Sequence, residues 1–104
     1  MIIGPLAKIK NIVLELTLLK CINDGETYPY NLLKKFKEQR FRKFKVLKSD
    51  VYNAIASLEK KRYIKVAKRS NAKKYYKITD EGKKVLRESK KILVNSLKEI
   101  SKIL

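Results

Sequence analysis

The sequence predicts a mainly α domain carrying one small β-hairpin, an α+β arrangement contained in a single unit over residues 1–104. Three observations point there. Four stretches, about 6–22, 29–39, 49–61 and 80–104, space their apolar residues as a helix does. Between 63 and 78 the pattern changes to strand alternation on either side of a polar turn. The last stretch carries an apolar seam that so short a chain has little left to cover.

Pro5 suits the first turn of a helix, which then runs to about Ile22. Leu6, Ile9, Ile12, Val13, Leu14, Leu16, Leu18, Leu19 and Ile22 cover more than one stripe. A helix apolar on two sides is buried on two sides, and the second side is expected to meet another subunit. Asn23-Asp24-Gly25 supplies stop-and-turn chemistry.

Tyr28-Pro29-Tyr30 opens the second helix, in which Leu32, Leu33 and Phe36 are apolar and Lys34, Lys35 and Lys37 are not. Aromatic and basic residues mix from Phe41 to Val46, and Phe44-Lys45-Val46 alternates over a short strand-like piece. Such interleaving can stack nucleic-acid bases. A small domain without Trp needs its aromatics inside, so Phe36, Phe41 and Phe44 are read as core.

The third helix starts at Lys48 or Ser49. At about 100° per residue, Val51, Ala54, Ile55 and Leu58 gather on one side. Ser49, Asn53, Ala56, Ser57 and Lys60 lie on the other, with Asp50 and Tyr52 on the flanks. So small and polar a face can enter a major groove, where an Asn amide pairs with adenine, although an ordinary solvated face has the same pattern.

Tyr63–Lys68 and Lys74–Ile78 follow as strands around Arg69-Ser70-Asn71-Ala72-Lys73. From Lys60 to Lys77 every charged residue is a cation. The tip, with Lys68, Arg69, Asn71, Lys73 and Lys74, would reach a phosphate backbone or minor groove beside the third helix. Helix followed by hairpin makes a winged helix-turn-helix.

Thr79 caps the last helix, with Asp80 and Glu81 in the first turn, where acids favour the helix dipole. Leu86, Leu93, Leu97, Ile100 and Leu104 form its stripe, and Leu86, Leu93 and Ile100 recur every seven residues. A dimerisation helix packing on Ile9 and Val13 of the first helix is the economical reading; a monomer whose tail folds back is the alternative.

The formal net charge of +17 repels itself unless a polyanion neutralises it. Nucleic acid is the leading partner and an acidic membrane surface the second. The arginines are Arg40, Arg42, Arg62, Arg69 and Arg87, so lysine dominates and phosphate attraction outweighs bidentate base reading. With no histidine and only Cys21, neither a disulfide framework nor a zinc or histidine-based catalytic centre can be assembled. No enzyme, metal or cofactor is expected, and Cys21 is read as a small buried residue. The apolar run Ile12–Ile22 is too short for a bilayer and contains Glu15 and Lys20, so a cytoplasmic protein without membrane association is expected.

Three motifs in order resemble the PadR-like winged-helix transcriptional regulators over nearly the whole chain. Asp24-Gly25-Glu26-Thr27-Tyr28-Pro29-Tyr30-Asn31-Leu32-Leu33 is similar to that family's entry to its second helix, with Tyr28 and Pro29 in place of His-Gly. Val51-Tyr52-Asn53-Ala54-Ile55-Ala56-Ser57-Leu58-Glu59 resembles the recognition helix Leu-Tyr-Pro-Ala-Leu-x-x-Leu-Glu, with Asn53 in place of Pro. Tyr76-Lys77-Ile78-Thr79-Asp80-Glu81-Gly82 is close to Tyr-x-Leu-Thr-x-x-Gly.

The resemblance implies a homodimer on a near-palindromic operator in double-stranded DNA, usually as a repressor. Lys48, Ser49, Asp50, Tyr52, Asn53 and Ser57 would then read bases from the recognition helix. Lys43, Lys45, Lys68, Arg69, Asn71, Lys73 and Lys74 would hold the backbone. Some short members bind flat aromatic compounds at the dimer interface through tryptophan. This chain has none, and its Phe and Tyr residues all lie between Tyr28 and Tyr76, outside both interface helices, so no residue here supports a small-molecule effector. The rival from another class is a sequence-tolerant architectural DNA-binding protein, which the charge suits equally.

Overall fold

Helix α1 spans Ile3–Asp24 in the computed structural model, which describes residues 3–38 and 46–104, with side chains from 10 to 35 and from 46 onward. It is longer at both ends than its apolar spacing suggests. The early start is tolerated because first-turn N–H groups have no carbonyl to meet, so Pro5 leaves no bond unmade. At the other end Lys20 meets Asp24 one turn on, at 2.8 Å. Gly25 then donates to the Ile22 carbonyl at 3.2 Å. Its backbone is not left-handed, so the turn does not depend on glycine.

The described part of α2 spans Pro29–Glu38 and buries Leu32 and Leu33. The strand-like piece around Phe44, the core placement of Phe41 and the side chain of Phe36 lie outside the described residues. Helix α3, Lys48–Lys60, turns Val51, Ala54, Ile55 and Leu58 inward. Its N-cap is Leu47, not a polar residue, and a leucine side chain has no acceptor to offer. Asp50 supplies the reciprocal bond of a capping box, its carboxylate accepting from the Leu47 N–H at 2.8 Å. The helix ends with Arg62 left-handed at φ 64°. Arg62 donates to the Glu59 carbonyl and Tyr63 to that of Leu58, both at 3.0 Å, the paired bonds of a Schellman stop.

Strands β1 (Ile64–Ser70) and β2 (Lys73–Ile78) pair antiparallel. The turn is tighter than the five residues Arg69-Ser70-Asn71-Ala72-Lys73 suggest. Asn71 and Ala72 alone form it, with φ 50° and 62°, the double left-handed pattern of a type I′ hairpin. Ile64, Lys65 and Val66 face Ile78, Lys77 and Tyr76, but Tyr75 faces Lys68, so Ala67 is a bulge. Thr27 joins the other edge of β2. It donates to the Tyr76 carbonyl at 3.3 Å and accepts from the Tyr76 N–H at 2.7 Å. Its buried hydroxyl accepts from Asn31 Nδ2 at 2.7 Å, so no polar group there is stranded.

Helix α4 spans Asp80–Ile103. The Thr79 hydroxyl accepts from the Gly82 N–H at 3.0 Å and donates to the Arg62 carbonyl at 2.7 Å, tying the end of α3 to the start of α4. The core gathers Leu14, Leu18, Leu19 and Ile22 of α1 against α2, the inner face of α3, Ile64 and Tyr76. Val85 and Leu86 reach it from α4. Beyond them the helix leaves the body: Leu97 is 65% exposed and Leu104 97%.

Candidate nucleic-acid interface

The start of α3 is held from two sides. Asp50 Oδ2 takes the Leu47 N–H and also Lys10 Nζ at 3.0 Å, which binds α1 to α3. The Leu47 N–H holds the Asp50 carboxyl below its ordinary range; partial burial opposes this and Lys10 adds to it. Asp50, grouped with the base readers from sequence, is thus already engaged on both of these partners. An acid at the third helical position is a capping signal, but the leucine at the N-cap breaks the usual pattern and hides it.

Ser49, Asn53, Ala56 and Lys60 are exposed on the outer face of α3. Ser57 is half-buried toward α1, where it lines a small polar recess with Asn11, Glu15, Asp50 and Asn53. Lys48 and Tyr52 lie on the opposite flank, the Lys48 ammonium 5.7 Å from the Tyr52 ring centre. That flank opens into a groove of about 460 Å³ between α3 and the hairpin tip, walled by Tyr28, Tyr30, Tyr52, Glu59, Lys73 and Lys74. Ala56 and Lys60 belong with the outer face as much as Asn53 does.

On the hairpin, Arg69, Asn71 and Lys74 are exposed at or near the tip. Lys68 Nζ stands 5.0 Å from the Tyr75 ring centre, and Lys73 Nζ 4.5 Å from that of Tyr28. The two rings meet edge to face at 5.2 Å. This cluster escaped sequence reasoning, because Tyr28 is 47 residues from Tyr75 and only the Thr27–Tyr76 pairing brings them together. Lys43 and Lys45 lie outside the described residues. Ion pairs among the described residues engage Lys10, Lys20 and Lys61, and no hairpin cation.

The seam residues of α4 divide. Leu86 packs partly on this chain's own core, whereas Leu93, Leu97, Ile100 and Leu104 are exposed. Val13 is half-buried, and the side chain of Ile9 lies outside the described ones. Between α1 and α4 runs a groove floored by Leu16, Leu86, Leu93 and Val94. Cys21 is half-buried, and burial pushes its thiol up, away from a reactive thiolate. Among the described residues no helix is long and apolar enough to cross a membrane, and no His, Cys, Asp and Glu cluster could hold a metal.

Two helices in sequence, the second presenting a polar face beside a basic hairpin, define a winged helix-turn-helix protein. The PadR-like family of transcriptional regulators matches residues 18–88, and the chain belongs to that family. A search of curated proteins finds no match. Among solved structures, a transcriptional regulator from Clostridium thermocellum is 26% identical with TM-score 0.75, the match covering 100% of this chain and 99% of that one. A PadR-like regulator from Bacillus cereus is 29% identical with TM-score 0.74, over 88% of this chain and 90% of that one. Bacillus subtilis PadR, solved in complex with operator DNA, is 26% identical with TM-score 0.66, over 73% of this chain and 45% of that one.

Proposed function

We propose that this chain is a homodimeric, sequence-specific DNA-binding regulator that acts as a repressor on a near-palindromic operator. One observation carries the DNA part of this reading. The open face of α3 stands beside a hairpin with Lys65, Lys68, Arg69, Lys73, Lys74 and Lys77, none of them ion-paired among the described residues. Unneutralised cations beside an insertable helix suit a duplex, whose phosphates would supply most of the affinity and whose base edges the selectivity. Ser49, Tyr52, Asn53, Ser57 and Lys60 are the proposed readers. Lys68, Arg69, Asn71, Lys73 and Lys74 are the proposed backbone clamp. Asp50 is reassigned to holding the start of α3.

The exposed seam of α4 supports the dimer: a row of apolar side chains along the free end of a helix fits a second copy of itself. Two recognition helices related by a two-fold axis read half-sites about one helical turn apart. Selection of bound sequences from random duplexes, with the mass in solution measured alongside, tests both parts. An enriched inverted repeat bound by a dimer is expected. No enrichment at all would instead favour an architectural protein that coats DNA without choosing sites.

A further inference from the structure

We propose that Tyr28 and Tyr75 are positioning residues that hold Lys68 and Lys73 in place for a phosphate backbone, an inference that rests on the DNA-binding reading above. The two rings come from different parts of the chain. Tyr28 lies in the connection between α1 and α2, and Tyr75 lies on β2. The two backbone hydrogen bonds between their neighbours, Thr27 and Tyr76, fix one against the other, and the rings close edge to face at 64°. Each ring then carries one ammonium, Lys73 on Tyr28 and Lys68 on Tyr75.

The bulge is what brings Lys68 there. Before it the partners are Val66 and Tyr76, so an unbroken ladder would set Ala67 opposite Tyr75. The extra residue advances the register by one and sets Lys68 opposite Tyr75 instead. Residues directly opposite in an antiparallel pair share a face, which lets the ammonium reach the ring.

A carboxylate would hold a lysine as well, but it would cancel the charge. An aromatic face attracts the cation through its quadrupole and leaves the charge uncancelled. Lysine otherwise loses much rotamer freedom on binding, so a cation ordered beforehand costs less to immobilise. Tyr28 and Lys73 both wall the groove between α3 and the hairpin tip, so the ring holds that ammonium on the side that faces α3.

The test compares the full chain with Tyr28→Phe, Tyr28→Leu, Lys73→Ala and the double variant Tyr28→Leu/Lys73→Ala. Affinity for one duplex is measured across salt concentrations, thermal midpoints control for folding, and NMR follows the Lys73 ε-methylene without DNA. Tyr28→Phe, which keeps the ring, should match the parent in affinity and in the upfield ring-current shift of Lys73. Tyr28→Leu should lose that shift and bind about fivefold more weakly. In the Lys73→Ala background it should cost nothing further, because its effect passes through that lysine. Parent-like binding by Tyr28→Leu, or an equal loss in both backgrounds, overturns the inference. So does an unshifted Lys73 resonance in the parent. A parent that binds no duplex at low salt, yet shows the shifted resonance, overturns the DNA reading while the ring-held lysine stands.

Discussion

Gly82 packs against the backbone of Tyr63 so closely that a Cβ at position 82 would overlap the Tyr63 carbonyl oxygen and lie 2.7 Å from Ile78 Cγ1. The same Tyr63 carbonyl accepts the Thr79 N–H at 3.0 Å, so it cannot swing aside without breaking the junction between hairpin and α4. Gly82→Ala is therefore expected to destabilise the fold by about 2 kcal/mol, in the range of overpacked cores. Gly25 is the control. Nothing lies within 4 Å of a Cβ built there, and Gly25→Ala should leave the urea midpoint unchanged or slightly raised. A midpoint for Gly82→Ala equal to the parent's would contradict this account.

The hairpin tip stores strain that can be relieved. Ala72 sits at φ 62°, where a Cβ crowds its own backbone and where type I′ turns ordinarily place glycine. Ala72→Gly should stabilise the protein by about 1 kcal/mol, read as a higher thermal midpoint. Glycine's extra freedom in the unfolded chain offsets part of the gain, so a lowered midpoint would mean that this turn is not strained.

Acid should weaken the attachment of α3 to α1. Asp50 has its pKa lowered in the native state, chiefly by the Leu47 N–H, so the native state holds that proton less tightly than the unfolded chain. Its contribution is fully present above the unfolded carboxylate value of about 3.9 and is lost as pH falls through the lower native value. Asp50→Asn should reduce stability at neutral pH and flatten that acid limb in denaturant titrations taken across pH. A variant with an unchanged acid limb would show that the bond to Leu47 contributes nothing.

The elements were legible in the sequence where local chemistry and periodicity agree. Thr79 with Asp80 and Glu81 marks the start of α4, and the alternation of Lys74–Ile78 marks β2. The details that shape the candidate interface were not legible, because each depends on a contact distant in sequence or on a residue in an unusual role. A capping carboxylate behind a leucine N-cap, an alanine in a glycine position and a bulge at Ala67 all depart from the common pattern. The Tyr28–Tyr75 pair depends on tertiary packing, which periodicity does not carry.

Leu97 tests the seam of α4. It is already 65% exposed, so Leu97→Lys removes little packing within one chain and should leave the folded winged helix intact. If the seam joins two copies, a lysine there leaves a buried charge at the interface, and light scattering should report the monomer mass. Operator affinity should fall with it, because one half-site offers half the contacts. A Leu97→Lys variant that remains a dimer would move the interface elsewhere.

Reading and clamping should separate by mutation. Asn53 is exposed on the outer face of α3, with an amide suited to a base edge, whereas Lys74 is exposed beside the hairpin tip. Asn53→Ala should weaken the preferred duplex by about 1–3 kcal/mol while leaving random duplexes nearly unaffected, narrowing the gap between them. Lys74→Ala should weaken preferred and random duplexes alike and reduce the slope of log affinity against log salt by about one. The contrast lies in the pattern more than in the size of each loss, so both duplexes must be titrated with both variants. If Asn53→Ala lowers binding to random DNA as much as to the preferred site, α3 contributes general affinity and the selectivity resides elsewhere in the chain.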